Sequence, residues 1–388
     1  MLPADEVTLR VDKVCRQMTE LSLDAVLVGD NANVYYLTGR VFCGYVYITA
    51  RGEVQYFLRR PSELHGDDVI RYRKVEEMTG AIAAELRDKT LGLTLDDVSY
   101  SLIQRLEAGL GPDVKIGNAS TVLRRARAAK TPLEIKMLET SGIKQAEVYS
   151  RIPHLYKEGM TDVELQIEIE RSLRLHGCLG EFRCSGTEME IFMGNVLTGD
   201  NADTPSPYDF AMGGAGLDPS IPVGANGTII RPGKPVMVDM NGNITGYMTD
   251  MTRCYIAGSC PELATNANEL SANICRAVSG AARPGVAAKD LYKIAEEMVA
   301  EAKMEDYFMG HRYHAGFVGH GIGITVNELP VLAPRSRDIL EVGNVIALEP
   351  KFVIPGLGAV GVENTYVVQH EGPAKQITNA PEQIMSLT

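Results

Sequence analysis

The sequence predicts a two-domain protein in which an α/β domain is followed by an α+β domain. Its 388 residues exceed one ordinary core and suit two domains of about 150 residues each. Short apolar runs alternate with helical patterns in the first part of the chain, whereas helices and hairpin-like strands form separate runs in the second. We place the boundary where a basic segment ends, which gives domains 1–127 and 128–388.

The first domain opens with apolar residues at helical spacing over residues 7–21. Short apolar runs bounded by Gly, Asn or Arg then predict strands in DAVLVG, NVYYLTG, YVYITA and VQYFLRR. Helical patterns follow over residues 79–86 and 100–110. Strands mixed with helices in this way are typical of an α/β domain.

The second domain begins with a helix-start signal, in which Thr131 is the expected N-cap and Pro132 the first helical residue. Further helical patterns cover residues 162–176, 262–282 and 287–302. Residues 194–228 are rich in Gly, Asn, Asp and Pro, which predicts irregular structure. The strand-like runs lie in hairpins apart from the helices, so this domain is expected to be α+β.

Composition narrows the classes of function. Acidic residues outnumber basic ones by 50 to 38, and the net charge of -12 argues against nucleic acid or an anionic membrane as the main partner. A peptide or a small molecule is the expected substrate. The seven cysteines show no C-x-x-C spacing, which favours reduced thiols in a cytoplasmic protein over a disulfide framework. The N-terminus lacks the apolar segment of a signal peptide, and no apolar run approaches the ~18 residues that span a bilayer.

Two predicted hairpins carry the strongest functional signal. In VMVDMNGNITGYMTD, a turn centred on residues 244–245 would set Asp239 directly opposite Asp250. In VIALEPKFVIPGLGAVGVEN, a turn at the Pro-Gly pair sets Glu349 opposite Glu363. Like charges directly opposite each other on paired strands are destabilising, with Cβ atoms only ~5 Å apart. Both pairs therefore need protons or cations.

An imidazole completes this cluster. His320 is flanked by glycines in GHGIG, which let the backbone come close while the side chain points into a cleft. Four carboxylates and one imidazole suit two adjacent divalent ions of the Mn, Fe, Co or Zn type. From spacing alone, the alternative is a set of solvated acids on exposed hairpin faces.

The ordered set of Asp239, Asp250, His320 in GHGIG, Glu349 in LEP and Glu363 in VEN resembles the pita-bread metallopeptidase family of aminopeptidase P, prolidase and methionine aminopeptidase. Residues 1–127 resemble the creatinase-type N-terminal domain that part of this family carries. The resemblance implies a pita-bread catalytic domain and a homodimer. It also implies a dinuclear centre in which Asp239 is bidentate to one metal, Asp250 and Glu363 bridge both, and His320 and Glu349 hold the other. Glu349 would also take the proton of the attacking water.

The surroundings of this centre depart from the family pattern. Asn327 stands where the resembling peptidases have a histidine that contacts the scissile carbonyl. Pro222 and Gly316 stand at the places of two further histidines, and Gly361 at the place of an arginine. His314 is a candidate substitute acid or base, and the alternative is a hydrogen-bonded loop histidine.

The sequence thus predicts a cytoplasmic, dinuclear, metal-dependent hydrolase, most simply an Xaa-Pro aminopeptidase or dipeptidase. Glu349, Asn327 and His314 are its candidate catalytic residues. One alternative is a hydrolase or lyase of a small non-peptide molecule, as in creatinase and ectoine hydrolase. Another is a catalytically silent binding protein on the same fold. The retained ligand set argues against the silent protein, and the missing histidines argue against a fast prolidase.

Overall fold

The computed structural model of the chain describes residues 2–61, 66, 68–186, 190, 192–208 and 213–388. Its contacts divide the chain into two compact units, Met1–Arg127 and Ala128–Thr388. Within the described ranges, every helix is too short or too polar to cross a membrane.

The first unit is built on a mixed sheet, six-stranded in the part that the structure describes. Its strands are β1 (Ala25–Val28), β2 (Cys43–Thr49), β3 (Val54–Arg60), β4 (Val69–Arg71), β5 (Thr90–Leu93) and β6 (Lys115–Asn118). Its helices are α1 (Ala4–Glu20), α2 (Asn31–Thr38), α3 (Val75–Ile82), α4 (Tyr100–Leu110) and α5 (Ser120–Ala128). The strand order is β4-β3-β2-β1-β5-β6, with antiparallel pairs in the middle and parallel pairs at both sides. The predicted α/β class is confirmed.

The run NVYYLTG forms helix α2 and not the predicted strand. Asp30 caps the helix, since its carboxylate accepts the Asn33 N–H at 2.9 Å. Gly39 ends it in the left-handed conformation with φ 71°. Valine and tyrosine favour strands, but a cap at each end outweighs that weak preference.

The second unit has two pairs of helices: α6 (Pro132–Tyr149) and α7 (Asp162–Leu175), then α8 (Glu262–Ala281) and α9 (Ala288–Ala302). Its strands are β7 (Gly194–Thr198), β8 (Pro235–Met240), β9 (Gly242–Asn243), β10 (Met248–Thr249), β11 (Thr252–Ile256), β12 (Gly319–Gly321), β13 (Glu328–Leu332), β14 (Val345–Leu348), β15 (Lys351–Ile354), β16 (Gly358–Gly361), β17 (Asn364–Val367), β18 (Lys375–Gln376) and β19 (Met385–Ser386).

The strands of this unit lie between its two helix pairs. Among the described residues they form sheets of order β19-β11-β8-β7 and β13-β12-β14-β17-β18, with two-stranded ribbons β15-β16 and β9-β10. On β8, Val236 and Val238 belong to the core that α6 and α7 cover, whereas Met237 belongs to the core under α8 and α9. Both faces of the strand are therefore buried along most of its length, and Asp239 near its end keeps a side-chain exposure of 20%.

Two local predictions for this unit have different outcomes. The helix start at Thr131 is confirmed by a capping box, in which Thr131 and Glu134 exchange side-chain to backbone hydrogen bonds. The region 194–228 was expected to be irregular, but it begins with β7, which pairs with β8 along its whole length. Val196 and Leu197 bury opposite faces of that strand, and this burial outweighs the Gly- and Asn-rich composition around it.

Candidate metal centre

Asp239 lies near the end of β8, and Asp250 lies between β10 and β11. The register sets Asp239 opposite Thr252, so the predicted direct pairing of the two aspartates is wrong. Gly246 adopts φ 86° and donates its N–H to Asn243 Oδ1 at 2.9 Å. These contacts centre the turn one residue later than predicted, and each strand residue consequently meets a partner two positions further on.

Glu349 and Glu363 face each other as predicted. They lie where β14 passes into β15 and where β16 passes into β17, and the pairs on both sides of this junction share one register centred on Gly356. Both side chains are buried, with 5% and 1% exposure. The junction therefore brings two carboxylates together inside the domain.

His320 occupies the middle of β12, with β13 on one side and β14 on the other. A Cβ at Gly319 would lie 2.4 Å from the Ala347 carbonyl, and one at Gly321 would lie 2.0 Å from the Leu329 carbonyl, so the flanking glycines are required by the neighbouring strands. The ring lies with Nδ1 3.0 Å from the Gly321 carbonyl and Nε2 3.1 Å from Glu349 Oε1. A proton on Nδ1 leaves Nε2 directed at the carboxylate cluster.

The structure brings the predicted ligands together in two overlapping groups whose ligand atoms lie within 4.8 Å of one another: Asp250, His320 and Glu363, and Asp239, Glu349 and Glu363. Glu363 is shared by both groups. Its Oε2 accepts the Thr252 hydroxyl at 2.7 Å, whereas its buried Oε1 has no hydrogen-bond donor among the described residues. A buried carboxylate oxygen without a donor needs a proton or a cation. The group of Asp250, His320 and Glu363 therefore fits a divalent ion.

The proton affinities of the same residues show how strongly the centre favours positive charge. Burial, together with the charge of Asp239, raises the pKa of Asp250 to about 7. Burial and the neighbouring Asp250 raise the pKa of Glu363 well above its usual range. Burial alone would lower the pKa of His320, but its hydrogen bond and charge interaction with Glu349 raise it to about 9. An ion bound here would displace these protons.

A lysine that the sequence analysis missed lies in the second group. Lys351 is fully buried, and its Nζ lies 2.7 Å from Asp239 Oδ2, 2.8 Å from Glu349 Oε2 and 3.2 Å from Glu363 Oε2. Burial raises the pKa of Glu349, but the Lys351 ammonium and His320 outweigh it and lower the pKa to about 2. The ammonium thus takes the place between the carboxylates at which this group would hold an ion, and the second group does not fit a metal in this arrangement.

Asn327 is bonded to the backbone of a neighbouring loop. Its Oδ1 accepts the Ser185 N–H at 2.6 Å, and its Nδ2 donates to the Ser185 carbonyl at 3.0 Å. The adjacent Val326 N–H donates to the Arg183 carbonyl at 2.8 Å, so the two segments are joined over several residues. The Oδ1 and one Nδ2 hydrogen of Asn327 are bonded to Ser185, so the structure gives Asn327 a positioning role.

The other candidates around the centre are also accounted for. His314 is exposed, and its Nδ1 lies 2.8 Å from the Phe308 carbonyl, which supports the loop-histidine alternative. Gly316 faces open space, since a Cβ there would have no heavy atom of the described residues within 4 Å, apart from its two chain neighbours. Gly361 lies opposite Lys351 in the β15-β16 ribbon.

Two buried side chains outside the predicted ligand set hold the strands of the cluster in place. The Tyr149 hydroxyl accepts the Met240 N–H at 2.8 Å and also donates a short hydrogen bond to the Met251 carbonyl. These backbone groups directly follow Asp239 and Asp250. Arg253 donates to the Glu363 carbonyl at 2.8 Å from a fully buried guanidinium. A tyrosine at helical spacing and an arginine in a strand carry no distinct sequence signal, so only the fold reveals these contacts.

Comparison with known proteins follows the same division of the chain. The profile of the family described as Metallopeptidase family M24 matches residues 136–370, and that of the Creatinase/Prolidase N-terminal domain matches residues 10–129. The Xaa-Pro dipeptidase of Pyrococcus horikoshii is 26% identical over 391 residues, covering 98% of this chain and 100% of that protein. The Xaa-Pro dipeptidase of Lactobacillus helveticus is 25% identical, covering 94% of this chain and 95% of that protein.

A solved structure agrees with these matches. The crystal structure of the prolidase from Pyrococcus horikoshii OT3 superposes with a TM-score of 0.77 at 25% identity, over 96% of this chain and 98% of that one. The similarity therefore extends over both units of the chain.

Proposed function

Because the chain belongs to metallopeptidase family M24, with a creatinase-type N-terminal domain ahead of a pita-bread catalytic domain, we propose that it is a metal-dependent peptidase that cleaves Xaa-Pro bonds. Relatives named Xaa-Pro dipeptidase match it over nearly their whole length, which supports this substrate class. The observation that carries the proposal is the buried group of Asp250, His320 and Glu363, which leaves a carboxylate oxygen without a donor among the described residues.

We assign the metal to this group. A divalent ion held by Asp250, His320 and Glu363 would lower the pKa of a bound water and polarise the substrate carbonyl. Imidazole nitrogen together with carboxylate oxygens suits Mn, Fe, Co or Zn. The resemblance implies a second ion held with the help of Asp239. Lys351 already contacts the carboxylate of Asp239 that this ion would need.

Glu349 is the proposed acceptor of the water's proton. Its Oε1 lies 3.1 Å from His320 Nε2, and its Oε2 lies 2.8 Å from Lys351 Nζ, beside the proposed ion site. Lys351 holds the carboxylate in one orientation. Geometry therefore carries this assignment, since both oxygens of Glu349 are held beside the position that a metal-bound water would take.

The test is release of the N-terminal residue from Xaa-Pro peptides of two to five residues, with free proline as the second product of the dipeptides, by protein reconstituted with Mn, Co or Zn. We expect that chelation of the metal abolishes this release. His320→Ala should also lose it, although its circular dichroism spectrum should match that of the wild type. His370→Ala is the matched control, because its side chain is 84% exposed. If the fully metallated protein cleaves the Xaa-Pro bond of none of these peptides, the peptidase proposal fails.

One observation favours a second candidate, hydrolysis or lysis of a small non-peptide molecule. The position at which the resembling peptidases place a carbonyl-contacting histidine holds Asn327, whose amide bonds the Ser185 backbone and cannot exchange a proton near neutral pH. Small amidine and ureido compounds therefore belong in the same screen. Turnover of one of these compounds without cleavage of any Xaa-Pro peptide would replace the peptidase assignment.

We further propose that the protein is a cytoplasmic homodimer. Homodimer assembly rests on the family resemblance, and the cytoplasmic location is supported by seven cysteines that are all free thiols. Sedimentation of the purified, metal-loaded protein tests the assembly.

A further inference from the structure

Lys351 has the contacts of a bound cation. Its three ammonium protons are matched by three carboxylates, from Asp239, Glu349 and Glu363, at 2.7–3.2 Å from Nζ. These carboxylates are also one of the two groups whose atoms converge closely enough to hold a metal. A metal bound by the same oxygens would lie about 2.0–2.2 Å from each of them, inside the volume that the ammonium fills. An ion and the ammonium cannot both occupy this position.

The lysine side chain is fixed in this position by its surroundings. It is fully buried, and Gly361 lies directly opposite it in the β15-β16 ribbon. A Cβ at Gly361 would lie 3.0 Å from Lys351 Cγ, so the stem of the lysine runs against bare backbone. Moving the ammonium away would leave an unpaired charge inside the domain, which is strongly destabilising. The glycine that replaces the expected arginine thus makes room for a cation supplied from the opposite strand.

The other group remains available to a metal. Lys351 contacts Glu363 through Oε2, whereas Oε1 has no donor in the described part of the chain. One divalent ion and one ammonium bring three positive charges to the four carboxylates of the centre, whereas two ions and the ammonium would bring five. Charge alone does not separate the two arrangements, since the first leaves a net charge of -1 and the second +1. The supply of ligands does, because a second ion would need the carboxylate oxygens that the ammonium already contacts.

We propose that this centre binds a single divalent ion, at Asp250, His320 and Glu363, and that the Lys351 ammonium permanently takes the place of the second ion. The inference rests on the proposed metal dependence but not on the proposed substrate. An ammonium supplies charge without an open coordination position, so Lys351 orients Asp239 and Glu349 and does not bind substrate. It is a positioning residue.

Metal stoichiometry tests this directly. Wild type, Lys351→Met and Lys130→Met are dialysed against Mn²⁺, and bound metal is measured by mass spectrometry and by electron paramagnetic resonance. Lys130 is the matched control, because its ammonium is also buried in an ion pair, 2.9 Å from Glu328, outside both metal-binding groups. We expect one ion per chain with the spectrum of isolated Mn²⁺ in wild type and Lys130→Met, and two spin-coupled ions in Lys351→Met.

A second variant keeps the test decisive if Lys351→Met does not fold. Asp239 binds the ammonium in this proposal, so Asp239→Asn should retain its ion with an affinity loss of no more than ~10-fold, whereas Asp250→Asn loses at least ~100-fold. Equal losses in the two variants would contradict the proposal.

The outcomes also separate this inference from the proposed function. Two ions in the wild type would overturn the inference and leave the peptidase assignment intact, and so would a folded Lys351→Met that still binds one ion. One ion in the wild type with no cleavage of any Xaa-Pro peptide would support the inference and remove the peptidase assignment. A wild type that binds no ion would remove both.

Discussion

Asn327 shows how one side chain can replace a catalytic group with a structural one. Its amide has a donor and an acceptor side by side, and both are bonded to the backbone of Ser185. An imidazole cannot present a donor and an acceptor to one residue in this way. The segment around Ser185 is therefore fastened to the loop that follows His320.

Asn327→Asp should destabilise the protein by about 1–3 kcal/mol, because the new carboxylate oxygen faces the Ser185 carbonyl and the donor is lost. Urea unfolding followed by circular dichroism measures the change. Asn266→Asp, on the exposed side of α8, is the control and should be close to neutral. An Asn327→Asp protein as stable as wild type would contradict the role assigned to this amide.

The protonation of His320 predicts how metal affinity depends on pH. Its pKa without metal is raised to about 9, so the ring is protonated at neutral pH and must lose a proton to act as a ligand. Affinity should therefore rise with pH up to about 9 and then level off. Calorimetry at neutral pH in buffers of different ionisation enthalpy measures the released protons. Binding heats that do not depend on the buffer would show that His320 is neutral or is not a ligand.

At this scale the sequence predicted the residues that converge in the cluster but not the lysine among them. Ionisable residues in apolar strands stand out, which is why Asp239 and Glu363 could be identified. Lys351 was passed over because a single lysine usually belongs to a solvated face. A signal was present, since side chains two apart share a strand face, and Lys351 therefore points the same way as Glu349.

At the level of elements, the predictions that held were those with a strong local pattern. The capped start of α6 and the turn at Gly356 each rest on a few residues with fixed conformational preferences. The failures came from choices between close alternatives. The residues of α2 favour strands, so its caps were not recognised from the sequence. The predicted turn centre was one residue too early, and Asp239 therefore pairs with Thr252 and not with Asp250.

On helix α6, the Tyr149 hydroxyl bonds the backbone next to both aspartates. Tyr149→Phe leaves a buried backbone N–H and a carbonyl without this partner, so we expect a loss of about 1–3 kcal/mol in the free energy of unfolding. Metal affinity should fall ~10-fold as well, because the groups that Tyr149 binds adjoin Asp239 and Asp250.

Tyr255→Phe is the matched control for this helix contact. Its buried hydroxyl donates to the Tyr149 carbonyl at 3.1 Å and touches no backbone next to a predicted ligand. It should lower stability without changing metal affinity. If both variants bind metal as well as wild type, α6 does not position the centre.

For the whole molecule, the two units should respond differently to metal. All proposed ligands lie in Ala128–Thr388, so binding stabilises that unit by about 2.7 kcal/mol when free metal is at one hundred times its dissociation constant. Hydrogen exchange read by mass spectrometry should slow in peptides that contain residues 239–250 and 349–363. Exchange within residues 1–127 should not change when metal is removed by chelation, and slowing there would contradict the assignment.

Because Lys351 is buried, the rate at which its amine reacts with an acylating reagent can measure opening of the domain. Acylating reagents need an accessible, unprotonated amine, and the Lys351 amine is fully buried. Burial alone would lower its pKa, but the charges of Asp239, Glu349 and Glu363 hold that pKa well above its usual range. Surface lysines such as Lys293 should be labelled within the mixing time, and Lys351 only when the strands around it separate. The labelling rate of this one residue then reports how often the catalytic domain exposes its interior, and bound metal should slow it.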